Sequence, residues 1–393
     1  MDCLSAQDYT DVTESCKCGI LQKGGINMNN TRKHYLDNIR WITVVLVVIY
    51  HVFYMYNAEG ISGVVGRITD LEVQYVDLYQ YIVYPWFMLV LFIVSGISSK
   101  LYLDSHTDKE FISSRTRRLL IPSTIGLFAF QFIQGYINMS IGDAFSTMPD
   151  TPVVVKFLIM VLSGTGVLWY IQLLWVFSVL LIPIRKIEKN RLWGLGAKTN
   201  IVALILMVIP VHLAAQVLNT PIICVYRFGF YMAGFLLGYF VFSHDEVIEV
   251  LKKWLPLMAI LSAGLGTAFC IVYFGQVYAD APVNRTILFT SFAWFMSLTV
   301  IGFGARFLDF SNGFTSWMSA HSWGLYIFHY LGISAVGLWI AKPGLLPPVP
   351  VYILSLIAGF AAGYILYEII SRIPFFRWAV LGIKKEKRLT DVQ

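Results

Sequence analysis

Ten long apolar stretches divide this 393-residue sequence and leave few folds open to it. About 20 apolar residues in a helix cross the hydrocarbon core of a bilayer, and a helix satisfies its own backbone hydrogen bonds there. The sequence therefore predicts an all-α fold, a polytopic transmembrane helix bundle of about ten spans. Residues 153–163 are too short to span and are interpreted as a loop or a surface helix. The predicted spans are residues 41–57, 79–98, 119–139, 164–184, 200–218, 222–242, 254–275, 286–308, 319–341 and 348–370.

The composition supports a membrane location. Hydrophobic residues make up 57% of the chain and charged residues only 13%, whereas a soluble domain carries about 25% charged residues. The net charge of +6 is therefore interpreted as a topology signal and not as a nucleic-acid-binding surface. We expect membrane lipids as partners and no nucleic acid, and the sequence leaves the oligomeric state open.

Lysine and arginine are distributed unevenly between the two sets of loops. The N-terminal flank, alternate loops and the C-terminal tail hold 24 of the 29 basic residues, and the opposite loops hold Arg67, Lys156, Arg285 and Lys342. An excess of this kind is typical of cytoplasmic loops. The pattern predicts a multi-pass protein of the cell (inner or plasma) membrane with both termini in the cytoplasm.

One transmembrane domain, over residues 31–378, is predicted between two tails. Residues 1–30 lack the apolar core of a signal peptide and predict a disordered cytoplasmic tail, and residues 379–393 predict a basic cytoplasmic tail. No disulfide framework is expected, because thiols stay reduced in the cytoplasm. No second cysteine pair or histidine pair completes a metal site, so no metal is predicted. The first tail holds Cys3, Cys16 and Cys18.

Arg40 and His51 lie on one predicted helix with ten residues between them. Eleven steps of about 100° leave their side chains about 20° apart around the axis, and about 16 Å apart along it. Arg40 is then at a membrane surface and His51 near the middle of the hydrocarbon core, where an ionisable residue is a candidate functional residue. We predict His51 as the catalytic residue, a base that takes a proton from a hydroxyl. A histidine bonded to a neighbouring helix is the alternative.

Three more charged residues accompany this pair. Asp37 precedes Arg40 by three positions and is expected to hold its guanidinium group in an ion pair at the helix start. Arg115 and Arg118 share a helix face before another predicted span. Basic residues at such a place serve orientation and bind anionic lipid. Together with Arg40 they also offer several guanidinium groups suited to phosphates, and both interpretations stay open here.

Tyr326 and His329 lie in a span that begins at the cytoplasmic side. His329 is therefore about 16 Å deep, close to the level of His51, and Tyr326 lies one turn below it. Two histidines at one depth are candidates to share a cavity, although a histidine bonded to another helix explains the pattern equally well. We predict supporting roles for Tyr326 and His329.

Arg227 and Trp169 are candidates for the acceptor side of the site. Arg227 lies inside the predicted span 222–242, about five residues from its outer end. An arginine there must reach the surface, pair, or line water. Trp169 opens a span at the same surface, where it anchors in the aromatic belt or offers a stacking surface for a sugar.

Five segments of the chain, in the same order, resemble the membrane-bound acyltransferase-3 family, which includes many O-acetyltransferases. Their order over residues 36–329 makes the resemblance specific. Tyr170, Trp323 and Leu325 depart from the family pattern. Residues 366–374 are similar to the end of one member, glucan biosynthesis protein C, which is linked to succinylation of glucans. The five segments are Asp37 to Arg40 followed by His51, residues 91–96, Arg115 and Arg118 before Pro122, Leu168 to Tyr170, and Ser322 to His329.

The resemblance implies an enzyme, an acyltransferase, and makes residues 31–378 its acyltransferase domain. It implies transfer of an acyl group, acetyl or succinyl, from cytoplasmic acyl-CoA to a hydroxyl of an extracytoplasmic or lipid-linked glycan. It also implies that His51 is essential and that Arg40, Arg115 and Arg118 bind the donor. Acyl-CoA is then a co-substrate, and no other cofactor is expected.

A proton-coupled transporter or exporter of a small molecule or glycan is the alternative function. Buried histidine and arginine in a ten-span protein also suit such a carrier, which often shows internal repeats and broken helices. No repeat is apparent in the sequence. Cleavage of an acyl-CoA thioester by the purified protein would distinguish the two, because a carrier leaves the thioester intact.

Overall fold

Helices build most of the chain, because each apolar stretch satisfies its backbone hydrogen bonds within a helix. The computed structural model describes residues 32–59, 63–221 and 225–384. The all-α, polytopic fold predicted from the sequence is confirmed. Outside the described residues lie the predicted tail 1–30, most of the predicted tail 379–393, and the cysteines Cys3, Cys16 and Cys18.

Fifteen α-helices and one short hairpin are described. The hairpin pairs β1 (Asn219–Pro221) with β2 (Val225–Arg227) in antiparallel register, with Asn219 opposite Arg227. The helices are α1 (His34–Met55), α2 (Leu78–Leu103), α3 (Asp108–Arg115), α4 (Phe132–Ile141), α5 (Val153–Ser163), α6 (Trp169–Glu188), α7 (Arg191–Gly196), α8 (Ile201–Leu206), α9 (Val208–Ala214), α10 (Phe228–Phe240), α11 (Asp245–Tyr273), α12 (Ile287–Phe307), α13 (Gly313–Val336), α14 (Pro348–Arg372) and α15 (Pro374–Leu381). Short 3₁₀ turns are Tyr75–Asp77, Gly166–Leu168 and Val283–Arg285, and π-helical segments are Thr116–Leu120, Leu127–Gln131 and Gly337–Ala341.

Seven of the ten predicted spans are continuous helices. Among the described residues, seven helices are long and apolar enough to cross a membrane: those built on α1, α2, α6, α11, α12, α13 and α14. The predicted spans 119–139, 200–218 and 222–242 are instead broken or short. Helix α5, exposed along much of its apolar length, occupies the segment that the sequence predicts as a loop or a surface helix.

Proline and the hairpin explain the three departures. Pro122 and Pro210 have no N–H to donate to the fourth preceding carbonyl, and their rings clash with it. The first segment is therefore π-helical, then turns, and becomes regular only at α4. The second breaks at Met207 into α8 and α9. In the predicted span 222–242, strand β2 occupies Val225–Arg227, and α10 begins only at Phe228. Helix α10 therefore has 13 residues, about 20 Å of helix.

Polar caps set the start of two helices that carry candidate residues. The Asn312 side chain accepts the Thr315 N–H (2.9 Å), and the Thr315 hydroxyl accepts the Asn312 N–H (3.0 Å), so α13 begins at residue 313. Thr107 and Glu110 form the same reciprocal box before α3. Such boxes satisfy N–H groups that have no partner within the helix.

The helix bundle has two distinct ends. At one, which we call the basic end, α1 and α13 both begin, since the Tyr35 N–H donates to Asp309 (3.0 Å) and the Asn38 amide donates to the Leu308 carbonyl (2.7 Å). At the opposite end, Lys342 follows the π-helical continuation of α13 and donates to the Ser140 carbonyl (2.9 Å) in the last turn of α4. The two helices with the candidate histidines therefore run in the same direction.

Helix α2 is the most buried of the seven, and two glycines let α10 approach it. A Cβ atom on Gly96 would lie 2.0 Å from the Phe235 carbonyl oxygen, and one on Gly238 would lie 2.1 Å from that of Ile93. No side chain fits at such a separation. Direct backbone contact therefore holds α10 against the helix that lies at the centre of the bundle.

We predict that Gly96→Ala destabilises the protein, because the added methyl group pushes α10 away from α2. The expected loss is about 1–3 kcal/mol of unfolding free energy, measured as a lower midpoint of thermal unfolding in detergent. Gly194→Ala is the matched control: this glycine is exposed on α7 with no atom near its Cβ position. An equal effect of the two substitutions would contradict the close approach.

Candidate functional site

A cavity of about 550 Å³ penetrates the bundle to the level of His51. Its lining includes Gly142, Ala144 and Val277 in loops at the opposite end, so the cavity extends from His51 towards that end and not towards the basic end. Aromatic side chains make up much of its wall: Tyr50, Tyr54, Tyr84, Phe87, Trp169, Tyr231, Tyr326 and Tyr330. A concave apolar wall with few polar groups is typical of a small-molecule site.

His51 and His329 contact each other across α1 and α13. The Nε2 atom of His329 lies 3.1 Å from the Nδ1 atom of His51, and the ring centroids are 4.9 Å apart. His329 is fully buried, whereas His51 lines the cavity. The structure thus brings together the two histidines that the sequence places at one depth.

Backbone carbonyls determine which nitrogen of each ring carries the hydrogen. His329 Nδ1 lies 2.8 Å from the Leu325 carbonyl oxygen, and His51 Nδ1 lies 2.8 Å from that of Val47. A carbonyl oxygen only accepts, so each Nδ1 must donate and each neutral ring keeps its lone pair on Nε2. The lone pair of His329 then faces the His51 Nδ1–H, which it shares with the Val47 carbonyl.

The second nitrogen of His51 is consequently the basic one. No hydrogen-bond partner for His51 Nε2 occurs in the described part of the chain, although the imidazole borders the cavity. If this nitrogen takes up a proton, the ring becomes a cation whose Nδ1–H already has two acceptors. The arrangement is suited to general-base chemistry on a molecule in the cavity.

The three predicted donor-binding arginines gather at the basic end. Arg40 donates to Asp37 (2.8 Å) and also to the Ser98 hydroxyl. Arg115 donates to the neighbouring Ser99 hydroxyl (3.2 Å). Asp37 therefore contacts Arg40 as expected, while its role in activity remains a prediction. Two adjacent serines on α2 hold two arginines from different segments side by side.

Arg118 completes this cluster electrostatically. The pKa of Arg115 is lowered to about 10, chiefly by burial and also by the positive charges of Arg40 and Arg118. A guanidinium group with this pKa is still charged at neutral pH. Three positive groups held close together repel one another, and an anion among them would relieve that repulsion.

One layer of side chains separates the arginine cluster from the cavity. The Tyr170 hydroxyl is bonded to the Ser95 hydroxyl (2.9 Å) and interacts electrostatically with the arginine cluster. Its ring lies against Tyr326 (centroids 5.9 Å apart), which lines the cavity and donates to the Val167 carbonyl. None of the three arginines lines the cavity, so the cluster and the imidazole do not share one continuous opening in this structure.

Trp169 and Tyr326 belong to the cavity wall together with His51. Trp169 lies against Tyr231 with ring centroids 5.4 Å apart. The other tyrosines of the wall were not predicted as site residues. Their signal was spacing: Tyr50 and Tyr54 are four residues apart around His51, and Tyr326 and Tyr330 are four apart around His329. Residues four apart share a helix face.

Arg227 differs from its predicted setting. The sequence places it inside an apolar span, but it ends β2 directly before α10. It does not reach a surface, since only 1% of it is exposed. Its Nη2 atom donates to the Tyr84 hydroxyl (2.8 Å) and the Ala279 carbonyl (3.0 Å), both from cavity-lining residues. Arg227 therefore lies directly behind the cavity wall.

The chain resembles known proteins along almost its whole length. A family model described as "Acyltransferase domain" matches residues 33–368. Proteins named "Glucans biosynthesis protein C" from Shigella boydii serotype 4 (strain Sb227) and from Escherichia coli strains O139:H28 and SMS-3-5 are each 22% identical over 385 residues. Each alignment covers 92% of this chain and 97% of the relative. No solved structure gives a significant match.

We predict that nitrogen-15 NMR of histidine-labelled protein at pH 8 will show His51 and His329 protonated at Nδ1 and unprotonated at Nε2. The reason is that each Nδ1 faces a backbone carbonyl. The two signals are assigned by their loss in His51→Ala and His329→Ala. A protonated Nε2 on His51 would show that its lone pair points away from the cavity.

Proposed function

The chain belongs to the acyltransferase-3 family and is a membrane acyltransferase, and we propose that it transfers an acyl group from cytoplasmic acyl-CoA to a hydroxyl of an extracytoplasmic or lipid-linked glycan. Family membership favours the enzyme over the carrier that the sequence left as an alternative. The observation that carries the proposal is the His51–His329 pair, of which His51 borders a deep aromatic cavity one layer away from an arginine cluster.

The arginine cluster is proposed as the donor site. Coenzyme A carries phosphates, and guanidinium groups bind phosphate through paired, charge-assisted hydrogen bonds. The excess of basic residues on this side supports a cytoplasmic orientation of the basic end. Burying the nucleotide would be costly, so it stays at the surface while the thin pantetheine arm reaches inward. Arg40 and His51 are eleven residues apart on α1, about 16 Å, a length comparable to that arm.

The aromatic cavity is proposed as the acceptor site. Flat aromatic faces with a few hydroxyl groups suit the alternating apolar and polar faces of a sugar ring. Relatives that align with 92% of this chain are named for the biosynthesis of glucans. The cavity extends to the end of the bundle opposite the arginines. A glycan acceptor would thus enter from the extracytoplasmic side and present a hydroxyl to His51.

In the proposed reaction His51 acts as a general base. Its Nε2 atom takes the proton of the acceptor hydroxyl as that oxygen attacks the thioester carbonyl. The new C–O bond forms, the C–S bond breaks, and the imidazolium returns the proton to the departing thiolate. His329 accepts the His51 Nδ1–H and so stabilises the imidazolium between these two steps. His329 is a positioning residue in this scheme.

The donor must pass the layer formed by Ser95, Tyr170 and Tyr326. Along α1 the distance from Arg40 to Val47, which lines the cavity, is seven residues, or about 10 Å. Rotation of two tyrosine side chains would open this layer for a narrow acyl-pantetheine chain. The layer would close again when the thiol leaves.

We predict that His51→Ala lowers the turnover number about 10²- to 10⁴-fold, the usual contribution of a general base, and that His329→Ala has a smaller effect. The assay follows transfer from radiolabelled acyl-CoA to a glucan oligosaccharide by purified protein in detergent. His212→Ala is the matched control, because His212 is another histidine within the bundle and is bonded to the Thr290 hydroxyl (3.0 Å). Near-normal turnover by His51→Ala would refute the assignment.

The same assay without acceptor tests whether the acyl group is transferred directly to the acceptor or first bonds to His51. Label retained on wild-type protein but not on His51→Ala would indicate an acyl-histidine intermediate in place of direct transfer.

We predict that Arg115→Ala and Arg118→Ala raise the KM for acyl-CoA about tenfold or more, because each removes a charge-assisted contact of about 1.5–3 kcal/mol. The KM for the acceptor should stay unchanged. Arg306→Ala controls for general loss of basic charge, since Arg306 is exposed at the basic end and donates to the Lys252 carbonyl (3.3 Å). Unchanged donor kinetics in both variants would leave these arginines with a topological role alone.

A further inference from the structure

Arg227 is buried, and its guanidinium group forms no ion pair with a carboxylate among the described residues. Its Nη2 atom has two partners, whereas Nε and Nη1 are buried and have no partner within residues 32–59, 63–221 and 225–384. Asp280, which lines the cavity next to Ala279, is exposed and forms no ion pair with it. A buried guanidinium group with two unused donor atoms is costly unless something compensates it.

Aromatic rings supply part of that compensation. The guanidinium carbon lies 4.8 Å from the ring centroid of Tyr84 and 4.7 Å from that of Phe289. Cation–π contacts of this kind stabilise a guanidinium group that has been removed from water. They stabilise the charge without cancelling it, and Arg227 is bonded to the Tyr84 hydroxyl of the cavity wall.

Tyr84 lines the cavity, and its hydroxyl has a hydrogen to donate. Its oxygen accepts the Arg227 N–H at 2.8 Å, and its own hydrogen has no acceptor in the described part of the chain. A hydroxyl that accepts from a cation becomes a stronger donor, because the two bonds polarise one another. The ring itself is fixed between Tyr50 (5.7 Å) and Tyr278 (4.7 Å between centroids).

Only one ring separates this hydroxyl-bearing side chain from the histidine. Tyr50 stacks on Tyr84 and packs edge-on against His51, with 5.1 Å between the last two centroids. His51, Tyr50 and Tyr84 therefore follow one another in the cavity wall, within reach of one bound molecule.

We propose that Tyr84, polarised by Arg227, binds an anionic oxygen of the substrate that occupies this cavity. This inference rests on the proposed function and narrows its substrate class to one that bears a carboxylate or a phosphate a few bonds from the reacting centre. The anion has two possible sources, the far end of a dicarboxylic acyl group or an acidic substituent of the acceptor. Tyr84 contacts the anion directly, and Arg227 acts through Tyr84.

The first experiment measures binding without turnover. Succinate and inorganic phosphate are titrated into purified protein, with succinamide as the uncharged probe, and the thermal unfolding midpoint is followed. We expect the anions and not the diamide to stabilise the wild type, and Tyr84→Phe to lose that stabilisation. Tyr79→Phe is the matched control on the same helix, since its hydroxyl donates to the Leu46 carbonyl (3.2 Å) and not to the cavity.

The second experiment identifies the source of the anion. The kcat/KM ratio of succinyl-CoA to acetyl-CoA is measured with a neutral glucan oligosaccharide, and the ratio of a phosphorylated to a neutral oligosaccharide is measured with acetyl-CoA. The ratio that corresponds to the true source of the anion, donor or acceptor, should be tenfold or more in the wild type and in Tyr79→Phe. The same ratio should be near one in Tyr84→Phe and Arg227→Met. A purely structural role would lower both members of a pair equally.

The outcomes separate this inference from the proposed function. Anion binding that depends on Tyr84, without transfer from any donor, would sustain the inference and refute the acyltransfer scheme. His51-dependent transfer with both ratios near one, and no anion-dependent stabilisation, would overturn the inference alone. Wild-type discrimination in Tyr84→Phe would also overturn it.

Discussion

The contact between His51 and His329 is the interaction on which the site depends. In an apolar bundle the helix carbonyls of Val47 and Leu325 are the available acceptors, so they fix both rings as Nδ1–H donors. The His329 lone pair must then face His51, and the His51 lone pair is left for the cavity. The aromatic wall, the arginine cluster and the layer between them become parts of one proposed mechanism only because this nitrogen is basic and accessible.

Periodicity within single helices was enough to predict part of this site. Arg40 and His51 share one face of α1, and the depth of His329 follows from the start of α13, so the sequence places both histidines at one level. The contact between Asp37 and Arg40 is local and was predicted for that reason. Hydropathy also predicted every helix long enough to span, because backbone satisfaction in an apolar stretch depends on the stretch alone.

The rest required tertiary structure. Pro122, Pro210 and the hairpin before α10 break three predicted spans, and the burial of Arg227 follows from α2 and α12, whose Tyr84 and Phe289 rings enclose it. The wall tyrosines come from four helices far apart in sequence, and spacing within one helix cannot show which of them meet. The closed layer between the arginines and the cavity likewise arises from contacts between α2, α6 and α13.

That layer has a consequence for the cell. If water ever connected the cavity at one end of the bundle with the arginine cluster at the other, ions and protons could cross the membrane through the enzyme. The bonded hydroxyls of Ser95 and Tyr170, backed by the ring of Tyr326, keep the cavity and the cluster apart at rest. In the proposed transfer, the acyl chain that passes this layer would fill the space it opens and so exclude water from it.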